Sequence, residues 1–183
     1  MTARATGESL TVSKSTRKRG LRIGSRVFFP AHGVVSVLRV EEREFGPSPQ
    51  DFYILGLARG GKVMLPVGNV TKAGVRDLVS VTKARELLKR VKTPPVANTT
   101  TSWRERAATY EDALRSGSPD RYTEIVQELL FRAGSAKLST NDKRVLEVAR
   151  GYFAEEIGAV LDRPPRDVEA ELCRVWDGGP GAS

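Results

Sequence analysis

Residues 26 to 79 constrain the fold more than any other stretch: RVFFPAHGVVSVLRVEERE, then DFYILGL, then KVMLPVGN, closing on AGVRDLVS. Each apolar run is short, rich in β-branched and aromatic residues, and bounded by Gly, Pro or Asn, which is the pattern of several tightly turned strands. From Leu21 the pattern LRIGSRVFFP alternates, with Gly24 and Pro30 as punctuation, and GVVSVLRVEERE is long enough for a bent strand. EFGPSPQD reads as a loop, because Gly46, Pro47 and Pro49 do not all fit a sheet ladder. DFYILGL then returns as the second strand of a hairpin, ARGG turns into KVMLPV, and the stretch from Asn69 to Val79 closes the unit. About five strands bury one face well only by curling on themselves.

The period changes after Asp77. Leu78, Val81, Leu87, Leu88 and Val91 suit a helix, with Ser80 or Thr82 as N-cap, and Pro94 and Pro95 stop it. TPPVANTTTS connects to a helix opening at Ser102. In SGSPD, Ser118 caps and Pro119 takes the first helical position; Tyr122, Ile125, Val126, Leu129, Leu130 and Ala133 then recur on one face. Ser139 with Asp142 has the spacing of a capping box, with Leu138 as staple, and Val145, Leu146, Ala149, Tyr152, Phe153, Ile157 and Val160 mark the longest helix. Pro164 and Pro165 end it, and DVEAELCRVW is a final short helix. The fold class is therefore α+β: an N-terminal Tudor-like or SH3-like five-stranded barrel over 21–76, followed by a compact bundle of about five helices over 77–175. A basic tail over 1–20 and a short end over 176–183 are expected to be disordered.

Charge and cysteine usage narrow the function. The 183-residue chain carries a net charge of +8 despite 22 acidic residues, and Arg4, Lys14, Arg17, Lys18 and Arg19 face only Glu8 before residue 20. Such a tail attracts phosphate unselectively and in a salt-sensitive way, or serves only to keep the chain in solution. One cysteine, Cys173, excludes an internal disulfide and suits a reducing cytoplasm; with a single histidine it does not complete a usual zinc site. No metal or cofactor is expected. There is no stretch of about 20 apolar residues to span a membrane, nor an apolar export signal at the start. His32 in PAHGV lacks a nucleophile or orienting carboxylate motif and reads as a turn residue, and ARGGK lacks the remaining residues of a phosphate-binding loop, so the chain is not expected to be an enzyme.

With strands and helices placed, the sequence resembles the CarD/CdnL family of bacterial transcription regulators, whose barrel is shared with the polymerase-interacting domain of transcription-repair coupling factors. The likeness runs from about Ile23 to Leu161 and rests on IGSRVFFPAHGVVSV, MLPVGN with GVRDLVS, SWRER, and LSTNDKRVLEVAR, in the family's order. It implies a barrel that docks on the β subunit of RNA polymerase, partly by strand pairing, with Arg43, Ile54, Met64 and Pro66 facing the polymerase. It also implies a helical module that places Trp103 against the minor groove at the upstream edge of the melted promoter, with Arg104 and Arg106 as neighbouring cations. A planar side chain wedged there resists collapse of the bubble. The implied setting is the cytoplasm, nucleoid-associated through polymerase, and the implied state a monomer.

On the residues alone, Ile54 and Met64 serve equally well as barrel core, Arg43 as a solvated strand residue and Trp103 as a bundle anchor. The chain also departs from the family pattern Trp-x-Arg-Arg-Tyr plus a basic residue: it reads Trp103, Arg104, Glu105, Arg106, Ala107, Ala108, so a carboxylate replaces a cation beside the expected DNA contact. Two alternatives follow. The chain is a nucleic-acid-binding module acting through barrel and tail, or a divergent paralogue that recruits another regulatory protein without contacting DNA strongly.

Overall fold

The computed structural model describes residues 20–45, 48–58, 60–95 and 103–176, with side chains left out at 45, 103, 175 and 176. The expected tail and end segment therefore lie, apart from residues 20 and 176, outside the described residues. Among the described residues five strands form one antiparallel sheet: β1 (Arg26–Phe29), β2 (Gly33–Phe45), β3 (Ser48–Leu57), β4 (Lys62–Pro66) and β5 (Arg76–Asp77), in the order β4-β3-β2-β1-β5. The sheet curls around Val27, Val35, Val37, Tyr53, Leu55, Leu65 and Val70. Its end strands β4 and β5 do not pair with each other, so the barrel is open along that seam.

The expected EFGPSPQD loop is shorter than its prolines suggested, because β2 runs to Phe45 and β3 begins at Ser48 with Pro49 opposite Glu44. The reason is local. Pairing of β3 with β4 reaches only Phe52, so at Pro49 β3 has no strand on its far side in which a missing N–H would break a bond.

Among the described residues five helices follow: α1 (Val81–Arg90), α2 (Trp103–Ser116), α3 (Pro119–Ser135), α4 (Thr140–Leu161) and α5 (Pro165–Trp176). The Ser80 hydroxyl accepts from the Lys83 N–H, and the Ser139 hydroxyl accepts from the Asp142 N–H while donating to the Asp142 carboxylate. Ser118 occupies the cap position before Pro119, but its side chain makes no capping bond; the Ser116 hydroxyl instead accepts from the Ser118 N–H. α4 stops at Asp162, in the left-handed region at φ 54°, before Pro164 and Pro165.

A second core lies among the helices, around Tyr122, Leu129, Phe153, Ile157 and Leu172, and the sheet contributes Phe28 and Val34 to it. These two residues oppose each other on β1 and β2 and point away from the barrel interior. Phe28 stacks on Tyr122 and meets Tyr152 edge-on, with ring centroids 5.9 and 5.3 Å apart. Burying such a ring stabilises by roughly 1.5–3 kcal/mol. Gly33 suits its φ of +74°, and a Cβ there would push aside the Glu155 carboxylate, which accepts from the Val34 N–H.

One polar cluster ties the sheet to the helices. Glu156 of α4, fully buried, accepts from Arg76 Nη1 at 2.6 Å, Arg76 Nη2 at 2.8 Å, the Val79 N–H at 2.9 Å and the Tyr122 hydroxyl. Arg76 also donates to the Gly117 carbonyl between α2 and α3, and its guanidinium lies 4.4 Å from the centre of the Phe28 ring. Cys173 sits half-buried on α5 beside Arg150, and His32 is exposed in the β1–β2 turn, its ring edge-on to Phe29 and its N–H donating to the Phe29 carbonyl.

Candidate functional site

The outer face of the sheet is divided. Phe28 and Val34 pack one part against the helices, whereas Arg39, Glu41 and Arg43 of β2, Phe52 and Ile54 of β3 and Met64 and Pro66 of β4 belong to neither core. What determines which side chains stand there is a bulge in β2. Val37 opposes Leu55, but the next ladder partner of Ile54 is Arg39, so Leu38 is an extra residue. Before the bulge, odd-numbered residues of β2 face the core; after it, the odd-numbered Arg39, Glu41 and Arg43 face outward and Val40 opposes the inward Tyr53.

The outward side chains form two rows across three strands. Arg39 opposes Ile54, which opposes Met64; Glu41 opposes Phe52, which opposes Pro66; Arg43 follows opposite Gln50, beyond the end of β4. Arg43, Ile54, Met64 and Pro66, singled out from the sequence, thus share one face. Their exposure differs. Met64 is 46% exposed and Arg43 is exposed, Pro66 is half-buried, and Ile54 is only 3% exposed.

Glu41 organises the cations of this face. It accepts from Arg39 Nε at 2.6 Å through one oxygen and from Arg43 Nη2 at 2.6 Å through the other. Arg43, and after it Arg39, holds the Glu41 carboxyl below its ordinary range. The triad leaves one net positive charge beside an apolar row. The rim of the face is β4, which pairs only with β3 among the described strands, so its other edge carries backbone N–H and C=O groups outside the ladder.

A second surface lies on the helical module. Trp103 is the first residue of α2; its side chain is outside the described part. Further along α2, Arg106 joins Arg132 of α3 and Lys137 around a concavity of about 490 Å³ that ends on the first turn of α4, at Thr140, Asn141 and Asp142. Arg104 is exposed and does not line it. Arg132 and Lys137 were not singled out from the sequence, and their positions at the end of α3 and just after it gave the only available signal. Glu105 stands in the first turn of α2, where a carboxylate interacts favourably with the helix dipole. That is a structural reason for its presence in place of a cation.

Among the described residues no three or more His, Cys, Asp or Glu side chains converge as a metal site, and no helix is long and apolar enough to cross a membrane. Residues 21–79 match the CarD-like/TRCF RID domain, and residues 83–173 match the CarD, C-terminal domain. The chain is similar to a Bacillus subtilis (strain 168) protein described as "Putative transcription factor YdeB", with 19% identity over 140 residues, covering 76% of this chain and 91% of that protein. With the sheet and the helices matched in the same order to the two halves of one domain arrangement, the chain belongs to the CarD family of transcription regulators.

Proposed function

We propose that the chain regulates transcription by docking the open part of its sheet on the β subunit of RNA polymerase and carrying its helical module to promoter DNA. The observation that supports docking most directly is the pair of rows ending at β4, where an unpaired strand edge adjoins Met64, Pro66 and the Arg39–Glu41–Arg43 triad. Such an edge receives a partner strand through main-chain bonds, while alternate side chains supply selectivity. Ile54, the buried middle member of its row, supports Met64 rather than offering area of its own. The test is capture of the full chain by isolated polymerase subunits. Retention by β alone is expected, and retention by none would overturn the reading.

At the other end, Trp103 opens α2 as the wedge, with Arg104 and Arg106 beside it, and Arg106, Arg132 and Lys137 hold backbone phosphate with the help of the α4 N-terminus. This arrangement offsets Glu105 and Ala108, since its cations come from three elements rather than one. Trp103→Ala is expected to shorten the lifetime of promoter open complexes while leaving capture by β unchanged. Arg132→Glu is expected to reduce the same lifetime severalfold, with the loss growing smaller as salt rises. A lifetime equal to that of the unaltered protein in both variants would remove the DNA role and leave recruitment of another regulatory protein.

A further inference from the structure

Along α4, beside the sheet, runs a cleft that neither the docking face nor the basic concavity uses. It consists of two concavities of about 620 and 330 Å³ that share Leu57, Ala58 and Glu155. One face of α4 walls it from Glu147 to Asp162, and at a rise of about 1.5 Å per residue that wall is about 22 Å long. Such a length suits a stretch of polypeptide better than a compact small molecule.

Two details of the walls point to an occupant. The first is Gly151, in the middle of α4, where glycine destabilises a helix relative to alanine. Gly158 has an internal reason, since a Cβ there would stand 2.6 Å from the Arg163 carbonyl oxygen, but a Cβ at Gly151 would meet nothing within 4 Å. Packing among the described residues does not require a bare backbone at Gly151, whereas the close passage of another main chain does. The second is Leu38, the extra residue of the β2 bulge. Its side chain lies in the cleft over Gly56, where an added Cβ would come within 3.2 Å of it, and it remains 40% exposed. Val148, 38% exposed, gives the other concavity a second apolar anchor.

The charges along the cleft are unevenly matched. Its arginines are engaged: Arg26 donates to the Ala159 carbonyl and Arg163 pairs with Glu171. Glu155 accepts from the Val34 N–H, whereas the carboxylates of Glu147 and Asp162, at opposite ends, pair with no lysine or arginine among the described residues. On a chain of net charge +8, a trough whose uncompensated charge is negative repels nucleic-acid phosphate and attracts a cationic peptide.

We propose that the cleft binds a short basic segment of a partner protein. About seven extended residues, at about 3.3 Å each, span it, with apolar side chains on Leu38 and Val148, the main chain over Gly151, and lysine or arginine beside Glu147 and Asp162. The site lies apart from the sheet face and the basic concavity and depends on neither.

The test is selection of a phage-displayed library of random heptapeptides on the immobilised full chain, followed by titration of the enriched peptides in synthetic form. Enriched sequences are expected to flank apolar residues with lysine or arginine, and to shift backbone amides of residues 147–162 and around Leu38 and Leu57. Gly151→Ala should melt no lower than the unaltered chain and yet bind these peptides severalfold more weakly. Gly151→Leu, and Glu147→Gln combined with Asp162→Asn, should each weaken binding by about tenfold or more. No enrichment, enrichment of acidic or uncharged sequences, shifts centred elsewhere, or binding unchanged in all the variants would overturn the proposal. So would self-association of the chain that Gly151→Leu abolishes, since the occupant would then be a second copy.

Discussion

Glu156→Ala is expected to destabilise the protein by about 3–5 kcal/mol, the usual cost of removing one member of a buried ion pair. The carboxylate serves four donors at once, two on Arg76 and one each on Val79 and Tyr122, and the alanine leaves all of them facing the space the carboxylate had filled. Arg76 then remains charged against Phe28 with only the Gly117 and Asp77 carbonyls. For a domain of this size a loss of 1 kcal/mol shifts the melting point by roughly 2–4 °C, so thermal unfolding should show a fall of about 10 °C. Tyr122→Phe removes a single donor and should cost about 1–2 kcal/mol. A Glu156→Ala protein as stable as the original would show that the cluster contributes nothing to joining sheet and helices.

The same cluster sets a pH dependence. Burial first, and then the Glu156 charge and hydrogen bond, push the Tyr122 phenol well above its ordinary value. A group whose folded pKa is raised stabilises fully below its unfolded pKa. Its contribution is therefore complete below about pH 10 and is lost as pH rises from there toward the folded value.

How much of this was legible beforehand differs from element to element. Strand positions followed from β-branched alternation and the start of α4 from Ser139, while the start of α1 was open between Ser80 and Thr82 until the structure gave the cap to Ser80, because a cap is a local interaction written in adjacent residues. The outward direction of Arg43 was not legible by counting. A simple alternation from Val35 and Val37 puts residues 39, 41 and 43 inside the barrel, and only the extra residue at Leu38 reverses it. Bulges depend on pairing with a partner strand and leave little trace in one strand's sequence. Glu156 carried a signal that periodicity alone contains: it lies three residues after Phe153 and seven after Ala149, on the apolar stripe of α4. A carboxylate on such a stripe needs a buried cation, but nothing local identifies Arg76, 80 residues away, as that cation.

The largest binding effect is expected at the exposed member of the outward row. Met64→Glu should weaken capture by the β subunit by about tenfold or more, because it puts a carboxylate at an apolar position beside an unpaired strand edge, where docking would bury it. Arg43→Glu should weaken capture comparably and, unlike Met64→Glu, should do so less at high salt, since its effect is electrostatic. That variant also loses the bonds to Glu41, so Arg43→Ala serves to separate lost attraction from added repulsion. Neither position is in the barrel core, and both variants should melt within a few degrees of the unaltered chain. The control follows from the bulge. Glu42 neighbours both Glu41 and Arg43 in sequence, yet it alternates onto the opposite face of β2, across from Asp51. Glu42→Gln should leave capture unchanged. If it weakens capture as much as Arg43→Glu does, or if Met64→Glu binds β as well as the unaltered chain, the outward rows are not the docking face.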